Sequence, residues 1–257
     1  MALVAPSAAA WSHPGDGPGV LVLHGFTGNP TSLRPLAARL AAEGYSVELP
    51  RLPGHGTNYR ELATTTWSQW LAEVVAAFDR LEGRPRAIVG LSMGATLALR
   101  LAQLRPTDVA ALVLINPSVT FEHPFKPALG LLKRVIPWMP GVGNDIAKPG
   151  ADELPYSRVP LTAAASLFEL QDIVRAHLHA VDMPTLVLTS RNDHTVRPTD
   201  SAVILDRIAS PRREQVWLER SFHVATLDHD ADMIGDRTIE WLAATVGSPD
   251  DGDAAGR

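Results

Sequence analysis

A serine stands between glycines in Gly90-Leu91-Ser92-Met93-Gly94, directly behind the apolar run Ala87 to Val89 and where a helical period begins near Met93. Strand, sharp turn and helix in that order lift a hydroxyl above a sheet edge. The flanking glycines leave room for the neighbouring strand and helix. A serine hydroxyl is a weak nucleophile at neutral pH, so a chemical role for Ser92 requires a base within hydrogen-bond reach and a carboxylate to orient that base. The pattern by itself fits a glycine-rich turn with a serine helix cap equally well.

Candidates for the other two groups are best sought in loops that follow strands, where functional groups gather in an open parallel sheet. After the run Thr185 to Thr189 comes Ser190-Arg191-Asn192-Asp193-His194-Thr195-Val196, which sets Asp193 at a strand's carboxyl end. Asp200 and Asp206 are poorer choices because they fall at the start of or inside the next helix. After the run Gln215 to Leu218 comes Glu219-Arg220-Ser221-Phe222-His223-Val224, placing His223 ahead of the final helix. The remaining histidines have plainer readings: His13 in an N-terminal turn, His123 in an inserted segment, His177 and His179 diverging on a helix, and His229 on a helix. The order Ser92, Asp193, His223 is the one this architecture expects.

Acyl transfer also needs donors aimed at a developing oxyanion. The backbone N–H of Met93 follows the nucleophile. The apolar run Val20 to Leu23 leads into His24-Gly25-Phe26-Thr27-Gly28, whose glycines allow the chain to turn the Phe26 N–H toward the same point. The Phe26 ring is then placed to wall an acyl pocket. His24 reads as support for its loop. Pro50-Arg51-Leu52-Pro53-Gly54-His55-Gly56 lacks the companions that phosphate or metal binding requires and is also read as structural.

The elements that must position these groups follow from periodicity. Buried parallel strands are expected at Val20 to Leu23, Tyr45 to Leu49, Ala87 to Val89, Ala111 to Ile115, Thr185 to Thr189 and Gln215 to Leu218. Helices are expected at Thr31 to Glu43, Trp67 to Leu81, Met93 to Leu104, Thr199 to Ile208 and Ala225 to Ala244. Trp67, Trp70, Leu71, Val74, Val75 and Phe78 form one apolar stripe. Alternation of this kind gives an α/β fold with a mostly parallel sheet and helices on both faces. The alternation breaks at residues 117–183, read as a cap or lid inserted into a core of residues 1–116 and 184–246. Within it Pro127 to Val142 is read as an amphipathic lid, the alternative being a helix packed on the sheet. The small, acidic residues 247–257 are expected to be a frayed tail.

Composition bounds the possible functions. The chain has 257 residues and no cysteine, which excludes disulfides, thiolate metal sites and a cysteine nucleophile. A net charge of −5 leaves no excess positive field for nucleic acid. The apolar N-terminus has no basic leader and is broken by Pro6, and no stretch approaches the ~20 apolar residues of a membrane span. A cytoplasmic protein is expected, as monomer or homodimer, needing no metal or organic cofactor.

Taken together, the blocks His24 to Gly28, Pro50 to Thr57, Gly90 to Gly94, the Asp193 loop and Ser221-Phe222-His223-Val224-Ala225-Thr226-Leu227-Asp228 resemble the bacterial carboxylesterase and monoacylglycerol lipase family of the α/β-hydrolases. They sit in family order over nearly the whole chain, the inserted segment being the less similar part. The resemblance implies a triad of Ser92, His223 and Asp193, oxyanion donors Phe26 and Met93, and a small cap over an acyl tunnel. Asp152-Glu153-Leu154-Pro155-Tyr156 is similar to the family stretch whose glutamate binds glycerol hydroxyls, which marks Glu153 as a substrate contact. Gly141-Val142-Gly143-Asn144 stands where those lipases carry apolar residues, and Val142 is the second expected contact.

The implied activity is hydrolysis of monoacylglycerols or short- to medium-chain acyl esters, a step in lipid degradation, with transient contact to a lipid interface through the cap. A thioesterase, acyltransferase or C–C bond hydrolase of the same fold would use the same triad. A noncatalytic ligand receptor is the reading from a different class, and the presence of every catalytic group argues against it. An aspartate at the nucleophile position would have pointed to a dehalogenase or epoxide hydrolase; Ser92 argues against both.

Overall fold

The computed structural model describes residues 4–120, 136–141 and 143–249. Strands β1 (Trp11–His13), β2 (Gly19–Leu23), β3 (Ser46–Leu49), β4 (Arg86–Leu91), β5 (Ala111–Ile115), β8 (Thr185–Ser190) and β9 (Arg213–Leu218) form one sheet in the order β1-β3-β2-β4-β5-β8-β9. All neighbours pair in parallel except β1, which runs antiparallel to β3 with Trp11 opposite Leu49. All six expected strands are present. β1 was not expected, because Trp11-Ser12-His13 is an exposed edge segment without an apolar run.

The two faces follow from the period-two alternation of side chains. Leu21, Leu23, Ile88, Leu112, Leu114 and Val187 point into one core with helices α3 (Trp67–Asp79), α4 (Met93–Leu104), α5 (Leu161–Ala176) and α6 (Thr199–Arg207). Val20, Val22, Val47, Val89, Val113 and Leu188 point into the other with α1 (Arg34–Ala42) and α7 (Ala231–Val246). A short helix, α2 (Tyr59–Leu62), follows β3. No helix among the described residues is long and apolar enough to cross a membrane.

Between β5 and β8 the described residues contain a two-stranded antiparallel ribbon, β6 (Trp138–Pro140) with β7 (Arg158–Pro160), set apart from the main sheet. They also contain α5, a helix the periodicity reading passed over. Its buried Leu161, Ala164, Leu167, Leu170 and Val174 have helical spacing, and Pro160 at its N-cap is a compatible start. Of the expected lid, Pro127 to Val142, only residues 136–141 are described; the rest, with His123, lies outside the described residues, as do residues 250–257 of the expected tail.

The last helix needs a correction. It starts at Ala231, not Ala225: Ala225–Leu227 is a 3-10 turn, and His229 lies in the turn before the helix. The cause is Asp228, whose carboxylate accepts the N–H groups of Ala147 and Lys148 (2.7 and 2.9 Å) and of Phe222 and His229 (2.9 and 2.7 Å). An acceptor so engaged competes with helical hydrogen bonding at its own position. His177 likewise lies just past α5, with His179 in the following 3-10 turn, and the two rings are 6.3 Å apart.

Candidate active site

Ser92 is the residue between β4 and α4, and its backbone is left-handed at φ 54° and ψ −117°. A non-glycine residue in that region is strained, and here the surroundings dictate it. The Ser92 N–H donates to Ile115 O at 3.0 Å, while Ala95 and Thr96 donate back to Ser92 O. The glycines permit the close crossing: a Cβ on Gly94 would come 2.1 Å from Leu23 O, and one on Gly90 would come 2.5 Å from Gly94 C. Gly25 passes in van der Waals contact, with a built Cβ 3.5 Å from that of Ser92. The loop after β2 thus lies against the serine.

The Phe26 and Met93 N–H groups have no hydrogen-bond partner among the described residues. Thr27, next to Phe26, is left-handed at φ 60°, which curls the loop. His24 holds that loop to the next one. Its Nε2 accepts the Leu52 N–H at 3.2 Å, so Nδ1 carries the proton donated to Gly25 O at 2.9 Å. Burial lowers the His24 pKa to about 4 and outweighs the bond to Gly25. His55 is also fully buried, packed at ring-centroid distances of 5.2 Å from His24 and 5.5 Å from Trp70, and burial holds it well below its ordinary pKa.

Asp193 and His223 meet. His223 Nδ1–H donates to Asp193 Oδ2 at 2.7 Å, which leaves Nε2 with its lone pair free for a proton. The other oxygen, Asp193 Oδ1, accepts the N–H groups of Thr195 and Val196 at 2.8 and 2.7 Å and is thereby fixed in rotation. Burial opposes the imidazolium, but the bond to Asp193, its charge, and the charges of Glu153 and Asp145 outweigh it and raise the His223 pKa. Among the described residues no hydrogen bond joins Ser92 Oγ to His223. Such bonds are often unformed without substrate. Asn116 bridges the strands involved: its Nδ2 donates to His223 O at 2.7 Å and to Ser190 Oγ at 2.9 Å, and its N–H to Leu188 O at 2.8 Å.

Glu153 is buried beside this arrangement. Its Oε1 accepts the Asn144 N–H at 3.1 Å, its own N–H donates to Asn144 Oδ1 at 2.9 Å, and a Cβ on Gly28 would come 3.3 Å from Oε2. Asn29 Nδ2 donates to Glu153 O at 2.9 Å. Burial raises the carboxyl's pKa, partly offset by the Asn144 bond and the His223 charge. Val142 lies outside the described residues. Asp200, set aside as acid, accepts the N–H groups of Val119 and Thr120 at 2.7 and 2.8 Å and anchors the end of β5's loop. Asn29, Asn116, Asn144 and Asp145 were not singled out from sequence; loop Asn and Asp residues are common, and only contacts distinguish these.

A serine raised on a strained elbow, an oriented imidazole and two free amides suit nucleophilic attack on a carbonyl. Comparison with known proteins agrees with that chemistry. The family model described as serine aminopeptidase, S33 (Hydrolase_4) matches residues 18–230. A thermostable monoacylglycerol lipase of Bacillus sp. (strain H-257) is 40% identical over 90% of this chain and 93% of its own length. A carboxylesterase of Bacillus subtilis (strain 168) is 26% identical over 87% and 91%. A solved structure described under two metagenome-derived lipolytic enzymes, LipS and LipT, superposes with a TM-score of 0.91 at 38% identity, covering 94% of this chain and all of the other. The chain therefore belongs to the serine aminopeptidase S33 family of α/β-hydrolases, within its carboxylesterase and monoacylglycerol lipase branch.

Proposed function

We propose that the protein hydrolyses carboxylic esters, monoacylglycerols and short- to medium-chain acyl esters among them, through an acyl-enzyme on Ser92. The observation that carries this is the pairing of the left-handed elbow at Ser92 with an imidazole whose Nδ1–H is committed to Asp193. His223 Nε2 takes the Ser92 proton as Oγ attacks the ester carbonyl, and the Phe26 and Met93 N–H groups hold the oxyanion. As the tetrahedral centre collapses, the C–O bond to the alcohol breaks and His223 returns the proton to the departing oxygen. Water then attacks the acyl-enzyme with His223 as base, and the carboxylic acid leaves as Ser92 regains its proton.

Of the inserted residues 117–183, the part ahead of α5 is read as the cap over this site, α5 itself packing into the core with α3 and α4. Glu153 is read as the acceptor for glycerol hydroxyls, supported by its burial beside His223 and Gly28. The exposed Ile136, Trp138, Met139 and Leu154 support contact of the cap with a lipid interface.

A fluorophosphonate should label Ser92 and no other residue, and Ser92→Ala should lose both labelling and ester turnover. Labelling elsewhere, or none on folded protein, would defeat the assignment. A series of monoacylglycerols and simple alkyl esters, compared below and above the micellar threshold, reads out alcohol preference and interfacial activation together.

A further inference from the structure

Asp145 stands outside the three reacting groups, yet its carboxylate reaches the loops that carry two of them, Asp193 and His223. Oδ2 accepts the His223 N–H at 3.2 Å and the His194 N–H at 3.0 Å. Oδ1 accepts the His194 Nδ1–H at 2.8 Å, and the Asp145 carbonyl accepts the Val224 N–H at 3.0 Å. His194 directly follows Asp193, so one side chain ties the acid's loop and the base's loop to the segment between β5 and β8. Only 15% of the Asp145 side chain is exposed, while His194 is 62% exposed and lies edge-on to Phe222 at 4.5 Å.

We infer that Asp145 is a positioning residue for the reaction: it fixes the separation of the His223 and Asp193 loops and adds a negative charge that favours the imidazolium formed when His223 accepts a proton. This rests on the reading of His223 as the base. The preceding residue extends the device. Asn144, left-handed at φ 57°, makes the reciprocal pair with Glu153, so two consecutive residues hold the substrate-side carboxylate and the base in one frame. The charged groups that act on His223 are Asp193 from the loop after β8, and Glu153 and Asp145 from the segment between β5 and β8. Asp145 is thus one of three carboxylates that raise its pKa against burial.

The test is the pH dependence of kcat and kcat/KM for p-nitrophenyl butyrate in Asp145→Asn and Asp145→Glu, with thermal unfolding of each and His223→Ala as reference. Asp145→Asn should lower kcat about tenfold or more with KM within about twofold, because misplacement of a base acts on the chemical step. Its acid limb should move down by about half a pH unit or more, because a charge favouring the imidazolium is gone. Asp145→Glu keeps the charge and should hold the limb near wild type. If Asp145→Asn does not fold, Asp145→Ser, which keeps an acceptor oxygen without the charge, takes its place. Variants that lose only thermal stability, with the acid limb unmoved, would overturn the positioning role. Full turnover in His223→Ala would overturn the assignment of the base itself, and this inference with it.

Discussion

The Asp193–His223 bond determines which nitrogen of the imidazole is available, and its removal has a defined consequence. In Asp193→Asn the amide offers an N–H where the ring's Nδ1–H needs an acceptor, so the ring is driven toward the wrong tautomer and kcat should fall by roughly four orders of magnitude. Ser92 labelling by a fluorophosphonate should slow with it; unchanged labelling and turnover would mean that another group orients the base. Direction also follows for pH. On the proposed mechanism His223 must be neutral to accept the serine proton, and its pKa is raised above 6.5, so kcat/KM should rise with pH through a limb lying above that value. A limb below 6.5 would contradict the net effect of the three carboxylates. On the proposed reading, Glu153 would separate substrates rather than chemistry. Glu153→Gln should raise KM for a monoacylglycerol by about tenfold while leaving a p-nitrophenyl ester nearly unaffected, the loss being that of a charge-assisted hydrogen bond worth ~1.5 kcal/mol. Equal losses on both substrates would remove the glycerol role.

At the scale of elements, the site depends on how tightly α4 crosses the end of β2. A methyl group on Gly94 would lie 2.1 Å from Leu23 O, so Gly94→Ala forces the helix away from the loop that carries Phe26. The expected cost is ~1–3 kcal/mol of stability together with a large loss of kcat. Gly83→Ala is the contrast: its φ of 87° is unfavourable for alanine, but nothing lies within 4 Å, so it should cost ~1 kcal/mol and spare kcat. Denaturant midpoints and turnover of the two variants check this, and equal kcat losses would sink the argument. The same elements show what a sequence reading can reach. Val20 to Leu23 and Thr185 to Thr189 are legible as strands because burial on both faces requires continuous apolar runs, and the candidate triad is legible because it stands where such runs end. α5 and β1 were not, the first because it follows the proline-punctuated stretch from Pro117 to Pro160, which reads as irregular, the second because an edge strand has no obligatory pattern. The Asp228 clamp, which delays α7 to Ala231, reaches Ala147 and Lys148 across 81 and 80 residues, and Asp145 reaches His194 and His223 across 49 and 78. Local periodicity carries no record of them.

Over the whole molecule, the sheet brings the loop after β2, the elbow after β4, Asn116 after β5 and the loops after β8 and β9 to one edge, and the two buried histidines beneath the first of these make that edge sensitive to acid. His24 has a folded pKa of about 4 against an unfolded value near 6.5. Between those values the unfolded chain binds a proton that the folded chain refuses, so this stabilisation is fully present above pH 6.5 and declines as pH falls, by about 3 kcal/mol once pH 4 is passed. His55 acts in the same direction. Glu153 and Asp200, whose pKa values burial raises, act oppositely, gaining stability as pH falls toward 4. His223, also raised, adds stability that is fully present below pH 6.5 and lost above it. The wild-type profile is a sum of opposed effects, and a difference isolates one of them. His24→Asn should be clearly less stable than wild type at pH 7, since the bonds to Leu52 and Gly25 are lost, and the gap should narrow by pH 4.5 as the wild type loses what the variant never had. Urea midpoints of both proteins at the two pH values give that double difference. A gap that stays constant would show that His24 titrates as freely in the folded protein as in the unfolded chain, and that the loop after β2 is not closed over a dry, neutral imidazole.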